Sequence, residues 1–163
     1  MSDMVTIREE DLIESVADAL QYISYYHPLD YIQALGKAYE AEQGPAAKDA
    51  IAQILTNSRM CAEGHRPICQ DTGIVNLFLK WGQNCRLESD KSLQEVVDEG
   101  VRRAYNHPHN KLRASIVADP AFTRRNTKDN TPCVLNVEMV PGSKVSVDVA
   151  AKGGGSENKS KFK

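Results

Sequence analysis

Two β-rich runs near the end of the chain, Cys133 to Val140 and Lys144 to Ala150, constrain the fold more than any other stretch. In the second, Val145, Val147 and Val149 alternate with Ser146 and Asp148, the period of a strand with one buried face. Pro141-Gly142 lies between the runs. Pro presets φ at the first central position of a type II turn, and Gly tolerates the positive φ of the second. The two runs are therefore read as a hairpin with one buried face, and the rest of the chain must supply what covers it.

Upstream the apolar period changes from two to that of a helix. Thr6-x-x-Glu9 fits a capping box, and Leu12, Val16, Ala19, Leu20 and Ile23 predict a first helix from about Glu9 to Tyr25. Tyr22, Tyr25 and Tyr26 are read as a wedge against the next helix. After His27-Pro28, the stripe Tyr31, Ile32, Leu35 and Ala38 predicts a second helix ending near Gly44. Pro45 opens a third, with Ala47, Ile51, Ile54 and Leu55 inward. Cys61 to His65 reads as a loop, and Ile74 to Leu79 as a buried strand, with Trp81 in a core or interface. Ser92-x-x-Glu95 starts a fourth helix with Leu93, Val96, Val97, Val101 and Ala104 inward. His107-Pro108-His109-Asn110 ends it in a surface turn, and a short strand is predicted over Ala114 to Val117. The fold class is α+β: an N-terminal helical layer packed on a small, mostly antiparallel sheet with a C-terminal hairpin.

At 163 residues, one domain with a real core is expected. The net charge of −2 gives no electrostatic case for nucleic acid. No apolar run approaches the ~20 residues of a membrane span. The start, Met1-Ser2-Asp3-Met4-Val5, lacks a basic region followed by an apolar one, so a cytoplasmic setting is expected. In such a reducing compartment Cys61, Cys69, Cys85 and Cys133 are not expected to form disulfides. No Cys-x-x-Cys pair supports a zinc ribbon or a redox motif.

Chemistry is concentrated in three stretches. Arg66-Pro67-Ile68-Cys69-Gln70-Asp71-Thr72-Gly73 sets a soft thiolate donor beside an amide, a carboxylate and a hydroxyl on a constrained loop. Arg124 to Pro132 is polar and turn-rich, either an anion site or a solvated loop. Lys152-Gly153-Gly154-Gly155-Ser156 permits backbone N–H groups to converge on an anion, with a helix start expected just after it. Its spacing is neither a P-loop nor Gly-x-Gly-x-x-Gly. The cations Arg113 and Lys152 and the glycine cradle suit a small carboxylate. A thiolate suits zinc, with His65 as a second ligand, or an iron–sulfur cluster, and the residues alone do not choose between them.

Together these stretches, with Asn126-Thr127-Lys128-Asp129-Asn130-Thr131-Pro132 as the middle one, resemble the class I, iron–sulfur-dependent fumarate hydratases and the related L-tartrate dehydratase α-type family. Order and approximate spacing also match, and Ser58-Arg59-Met60 falls in the similar N-terminal region. The resemblance implies a [4Fe–4S] cluster held by three cysteines, with Cys69 the first. The other two lie beyond the glycine-rich segment in the family, and Cys61, Cys85 and Cys133 are not among them.

It further implies that Gln70, Asp71 and Arg113 contact substrate, that the Gly153-Gly154-Gly155 backbone lies close to it, and that Asp71 has a catalytic role. The implied reaction is reversible hydration of fumarate to L-malate in the tricarboxylic acid cycle. Residues 1–163 would form the N-terminal part of such a hydro-lyase, truncated at the C-terminal end and completed by a C-terminal catalytic half or a β-type subunit, usually in a homodimer. The alternatives are a catalytically inactive truncated fragment or subunit-interaction module of the same fold, or a tartrate dehydratase α-type subunit.

Overall fold

The structure, a computed structural model, describes residues 4–155. These fall into two compact units, one formed by residues up to Gln21 together with those from Gln70 onward, the other by Tyr22–Cys69.

The first unit is the α+β body. It opens with β1 (Val5–Arg8), which runs directly into α1 (Glu9–Tyr25). Thr6 is therefore a strand residue, and the expected capping box does not form. Glu9 instead accepts from Ser89 Oγ at 2.5 Å and from Lys91 Nζ at 2.5 Å. β2 (Ile74–Gly82) and β3 (Cys85–Glu88) follow, and β1 pairs with β3 in parallel. α4 (Leu93–Tyr105) starts on a complete capping box between Ser92 and Glu95 and ends at Asn106.

The core consists of Leu12, Ile13, Val16 and Leu20 of α1, Val96, Val97, Val101, Ala104 and Tyr105 of α4, and Val75, Leu77, Leu79 and Trp81 from one face of β2. The two helices touch at Gly100, where a Cβ would lie 2.7 Å from Val16 Cβ. Gln21 closes their far end by donating to the carbonyls of Ala104 (2.7 Å) and Asn110 (3.0 Å).

The expected C-terminal hairpin is corrected by the sheet order. β6 (Val134–Val140) and β7 (Val145–Lys152) do not pair with each other; β2 lies between them. β6 runs parallel to β2 and β7 antiparallel, so the sheet is mixed rather than mostly antiparallel. The cause is apolar content. β2 buries four large side chains on one face, whereas β6 and β7 bury no residue fully, so β2 takes the central position.

The Pro141–Lys144 turn then passes over the end of β2. The Gly82 N–H donates to the Lys144 carbonyl at 2.9 Å, and the Asn84 N–H to that of Gly142 at 3.0 Å. Gly82 permits the crossing, because a Cβ there would lie 2.6 Å from the Gly142 oxygen. The predicted strand over Ala114 to Val117 is also displaced. Only β4 (Val117–Ala118) forms, paired with β5 (Arg125–Asn126).

The second unit holds the end of α1, α2 (Leu29–Ala41) and α3 (Pro45–Gly64). α3 continues through the residues expected as a loop and ends at His65, whose φ of 47° is a left-handed cap. Its buried residues are Ser58 and Cys61, whereas Ile51 and Leu55 are half-buried and Ala47 and Ile54 exposed. The tyrosines pack on one another and on His65. Tyr25 stacks on that imidazole at 4.7 Å, so the tyrosine cluster packs on the cap of α3. Among the described residues, no helix is long and apolar enough to cross a membrane.

Candidate functional site

The register of β2 and β7 builds the centre of the site. Ile74 pairs with Lys152, so one step outward Gly73 stands opposite Gly153. Residues about eighty apart in sequence thus share one end of the sheet. Asp71 reaches across this end. Its Oδ2 accepts from the Gly154 N–H at 3.0 Å and, more weakly, from that of Gly155 at 3.5 Å. Its Oδ1 accepts from the Gly73 N–H at 3.2 Å. A Cβ at Gly153 would sit 2.7 Å from Asp71 Oδ2, so the turn closes on the carboxylate only because that residue is glycine. The converging amides expected from the glycine run are present, and the group they face is the chain's own carboxylate.

Behind Asp71 the backbone is held by buried polar side chains. Tyr105, only 1% exposed, donates its hydroxyl to the Thr72 carbonyl at 2.6 Å. Burial pushes that hydroxyl up to about 12, so it remains a donor at neutral pH. Thr72 Oγ1 in turn donates to the Arg113 carbonyl. Asn130 is fully buried. Its Nδ2 donates to the Gly73 carbonyl at 3.0 Å, and its Oδ1 accepts from the N–H groups of Ser115 (2.7 Å) and Ile116 (3.2 Å). Its φ of 62° is left-handed, a region that Asn visits more readily than most residues.

The loop read as an anion site or a solvated segment is a brace. Asn126 donates to the Ala114 carbonyl at 2.8 Å, and the Thr127 N–H donates to that of Ile116 at 2.9 Å. Asp129 pairs with Arg102 at 3.0 Å. Burial alone would raise the Asp129 carboxyl, but hydrogen bonds from Thr131 and Arg102 outweigh it and hold the pKa low.

Of the residues picked out by sequence, the structure brings Asp71 together with Gly153, Gly154 and Gly155, and ties the Arg113 backbone to Thr72. The Arg113 and Gln70 side chains are exposed. The helix expected after the glycine run lies outside the described residues. Tyr105 and Asn130 are the residues that sequence reasoning missed as parts of the site. Tyr105 gave one signal, its place on the apolar stripe with Val101 in the last turn of α4. Asn130 lies in the middle of the three stretches that carry the resemblance, and its one signal for a structural role is the preference of Asn for positive φ.

Cys69 belongs to the helical unit. The residues before it are pinned there, since the Ile68 N–H donates to the Ser24 carbonyl at 2.8 Å and Asn57 Nδ2 to the Ile68 carbonyl at 2.9 Å. Its thiol is exposed, whereas Cys61, Cys85 and Cys133 are buried. Burial pushes the Cys61 thiol up, and that of Cys133 up to about 12, so neither is poised as a thiolate donor. Among the described residues, no three His, Cys, Asp or Glu side chains are grouped to hold a metal ion. Of the four cysteines only Cys69 is exposed, and the described residues make up no complete ligand set.

Comparison with known proteins bears on the same segments. A family model described as Fumarate hydratase (Fumerase) matches residues 13–163. The chain is 31% identical over 153 residues to a putative L(+)-tartrate dehydratase subunit alpha of Methanocaldococcus jannaschii, covering 91% of this chain and 52% of that protein. It is 30% identical over 142 residues to fumarate hydratase 2 of Leishmania major, covering 86% of this chain and 24% of that one. It is also 30% identical over 132 residues to the anaerobic class I fumarate hydratase of Escherichia coli K12, covering 81% and 24%. The chain thus spans about half the length of the tartrate dehydratase relative and about a quarter of each fumarate hydratase. Since the match takes in the Asp71 loop, the Asn130 brace and the glycine turn alike, this chain belongs to the Fumarate hydratase (Fumerase) family.

Proposed function

We propose that this chain is the N-terminal part of a hydro-lyase that reversibly adds water to fumarate to give L-malate, and that it supplies one side of the substrate site. The observation that carries this reading is the meeting of the Asp71 loop, the Arg113 segment and the glycine turn at one end of the sheet. Removing water from malate takes a proton from one carbon and hydroxide from its neighbour, and negative charge develops toward the adjacent carboxylate. An exposed guanidinium answers that charge, and Arg113 pairs with this carboxylate through parallel N–H bonds. Gln70 hydrogen-bonds substrate oxygens. Asp71 orients the water or substrate hydroxyl and accepts or returns a proton. The Gly153–Gly155 backbone lines the other carboxylate. Tyr105, Thr72 and Asn130 keep these groups in place without touching the substrate.

Cys69 is proposed as one ligand of a [4Fe–4S] cluster, with the remaining ligands and the partner base outside residues 4–155. Such a cluster supplies Lewis acidity toward the hydroxyl being added or removed. A C-terminal catalytic half or β-type subunit completes the site, and a homodimer is the proposed assembly. Dehydration of L-tartrate, as a tartrate dehydratase α-type subunit, is the second reading, favoured by the match to a tartrate dehydratase subunit alpha over 91% of this chain.

The test is anaerobic purification of the chain alone and with its C-terminal or β-type partner, each supplied with iron and sulfide. Fumarate hydration and L-tartrate dehydration are then assayed. The expected result is fumarate hydration by the pair only, lost in Cys69→Ser. Turnover by the 163-residue chain alone would overturn the divided site. Tartrate turnover exceeding that of fumarate would establish the second reading, and no turnover of either by the pair would reject both.

A further inference from the structure

We infer that Asp71 is an internal competitor for the carboxylate site of the glycine turn: its own carboxylate occupies the amides that a free carboxylate would take, so that ligand and Asp71 exchange places. The inference rests on the proposed function for the identity of the ligand, but its geometry stands independently. Oδ2 lies on the Gly154 N–H at 3.0 Å and near that of Gly155 at 3.5 Å. Gly153 leaves open the space beside it that a Cβ would fill, 2.7 Å from the same oxygen. A turn built this closely around one carboxylate oxygen is shaped to take another of the same chemistry. It does not hold both, because two carboxylates sharing one set of donors repel.

The fixed parts of the site permit such an exchange. The backbone at Thr72 and Gly73 is held by Tyr105, Asn130 and the Arg113 carbonyl. Asp71 itself is half-buried. Rotation of its side chain gives up the bond from the Gly73 N–H to Oδ1, while Tyr105, Asn130 and Thr72 go on holding the loop. Two consequences follow. Bystander anions are kept out of the turn, since each must displace a tethered carboxylate. An arriving substrate carboxylate also frees Asp71, so the residue proposed to handle the proton becomes available only when substrate is present.

The experiment uses the full chain labelled with ¹⁵N-glycine, with sodium acetate as the probe, acetamide as the uncharged control and ionic strength held constant. The readout is the amide shifts of Gly154 and Gly155 in the wild type, Asp71→Ala and Asp71→Asn. In Asp71→Ala, acetate is expected to move both amides saturably, with half-saturation at least about tenfold lower than in the wild type. Acetamide should leave them unmoved. Asp71→Asn keeps the shape and an oxygen acceptor but loses the charge, so acetate binds it with intermediate strength.

Equal half-saturation in wild type and Asp71→Ala, or no saturable shift in a folded Asp71→Ala, overturns the exchange. If the alanine variant loses its fold by circular dichroism, Asp71→Asn decides, and affinity equal to wild type rejects the inference. The outcome is separate from the turnover test. Exchange without hydration in the paired enzyme would leave the carboxylate site intact and reject the assigned reaction. Hydration without exchange would make Asp71 a fixed strut.

Discussion

Replacing Asn130 tests whether the site is held by side-chain hydrogen bonds or by backbone shape. Its carboxamide bonds the Gly73 carbonyl and the N–H groups of Ser115 and Ile116. At about 0.5–1.5 kcal/mol net per bond, their loss costs roughly 2–4 kcal/mol. The left-handed φ of 62° adds a second effect that depends on the replacement. Alanine bears about 1–2 kcal/mol of strain in that region. Glycine bears none, but its greater freedom in the unfolded chain costs about 0.4–1 kcal/mol relative to alanine. These contributions largely offset, so Asn130→Gly and Asn130→Ala should lie within about 1 kcal/mol of each other and both roughly 2–4 kcal/mol or more below the wild type. Urea unfolding followed by circular dichroism and extrapolated linearly measures both. An Asn130→Gly variant within about 0.5 kcal/mol of wild type would mean that residue 130 supplies only a backbone conformation, and the bracing argument would fail.

Three further outcomes are expected. Gly82→Ala places a Cβ against the carbonyls of Gly142 and Lys144 and should cost about 1–3 kcal/mol, read as a lower Tm, with an unchanged Tm arguing against the crossing turn. A thiol reagent under native conditions should modify Cys69 quickly and Cys61, Cys85 and Cys133 only on unfolding, and Cys69→Ser should remove the fast phase in mass spectrometry. Burial lowers the His27 pKa from 6.5, and its Nδ1 lies 3.0 Å from Ser58 Oγ. The neutral ring is thus favoured in the fold. Its contribution is present above about pH 6.5 and lost as pH falls through the lower folded value, because the unfolded chain binds the proton more readily. Protection of the α2 and α3 amides, taken relative to their intrinsic exchange rate at each pH, should fall between about pH 7 and 5, and fall less in His27→Gln.

Some local signals in the sequence match the structure, and the long-range pairings are not visible in it. The limits of α1 at Glu9 and Tyr25, and the Ser92–Glu95 box of α4, depend on residues within a few positions of each other. The Thr6–Glu9 spacing looked the same, but Cys85–Glu88 offers a parallel partner that draws Thr6 into a strand. Pro141-Gly142 does turn the chain, yet nothing near it shows that β2, some fifty residues earlier, enters between the two runs. The proximity of Asp71 to the glycine turn is a consequence of that insertion, so motifs alone indicated the participants and not their contact. Asn130 looked like any polar loop residue. Its burial is decided by the Gly73 and Ile116 backbones, which sequence proximity does not reveal.

The strand order also sets a timetable. As the chain is made, β2 emerges with both edges open, and its first flank arrives only with Val134 and its second only with Val145 to Lys152. Until then its most apolar strand offers two unpaired ladders, the condition in which nascent chains associate wrongly. Closure of the last strand ends that exposure and, in the same movement, carries Gly153 to Asp71. Completion of the sheet and assembly of the site are thus one event. A chain stopped before β7 would lack both the second flank of β2 and the turn that receives Asp71, and would leave the ribosome as an aggregation-prone intermediate with no site.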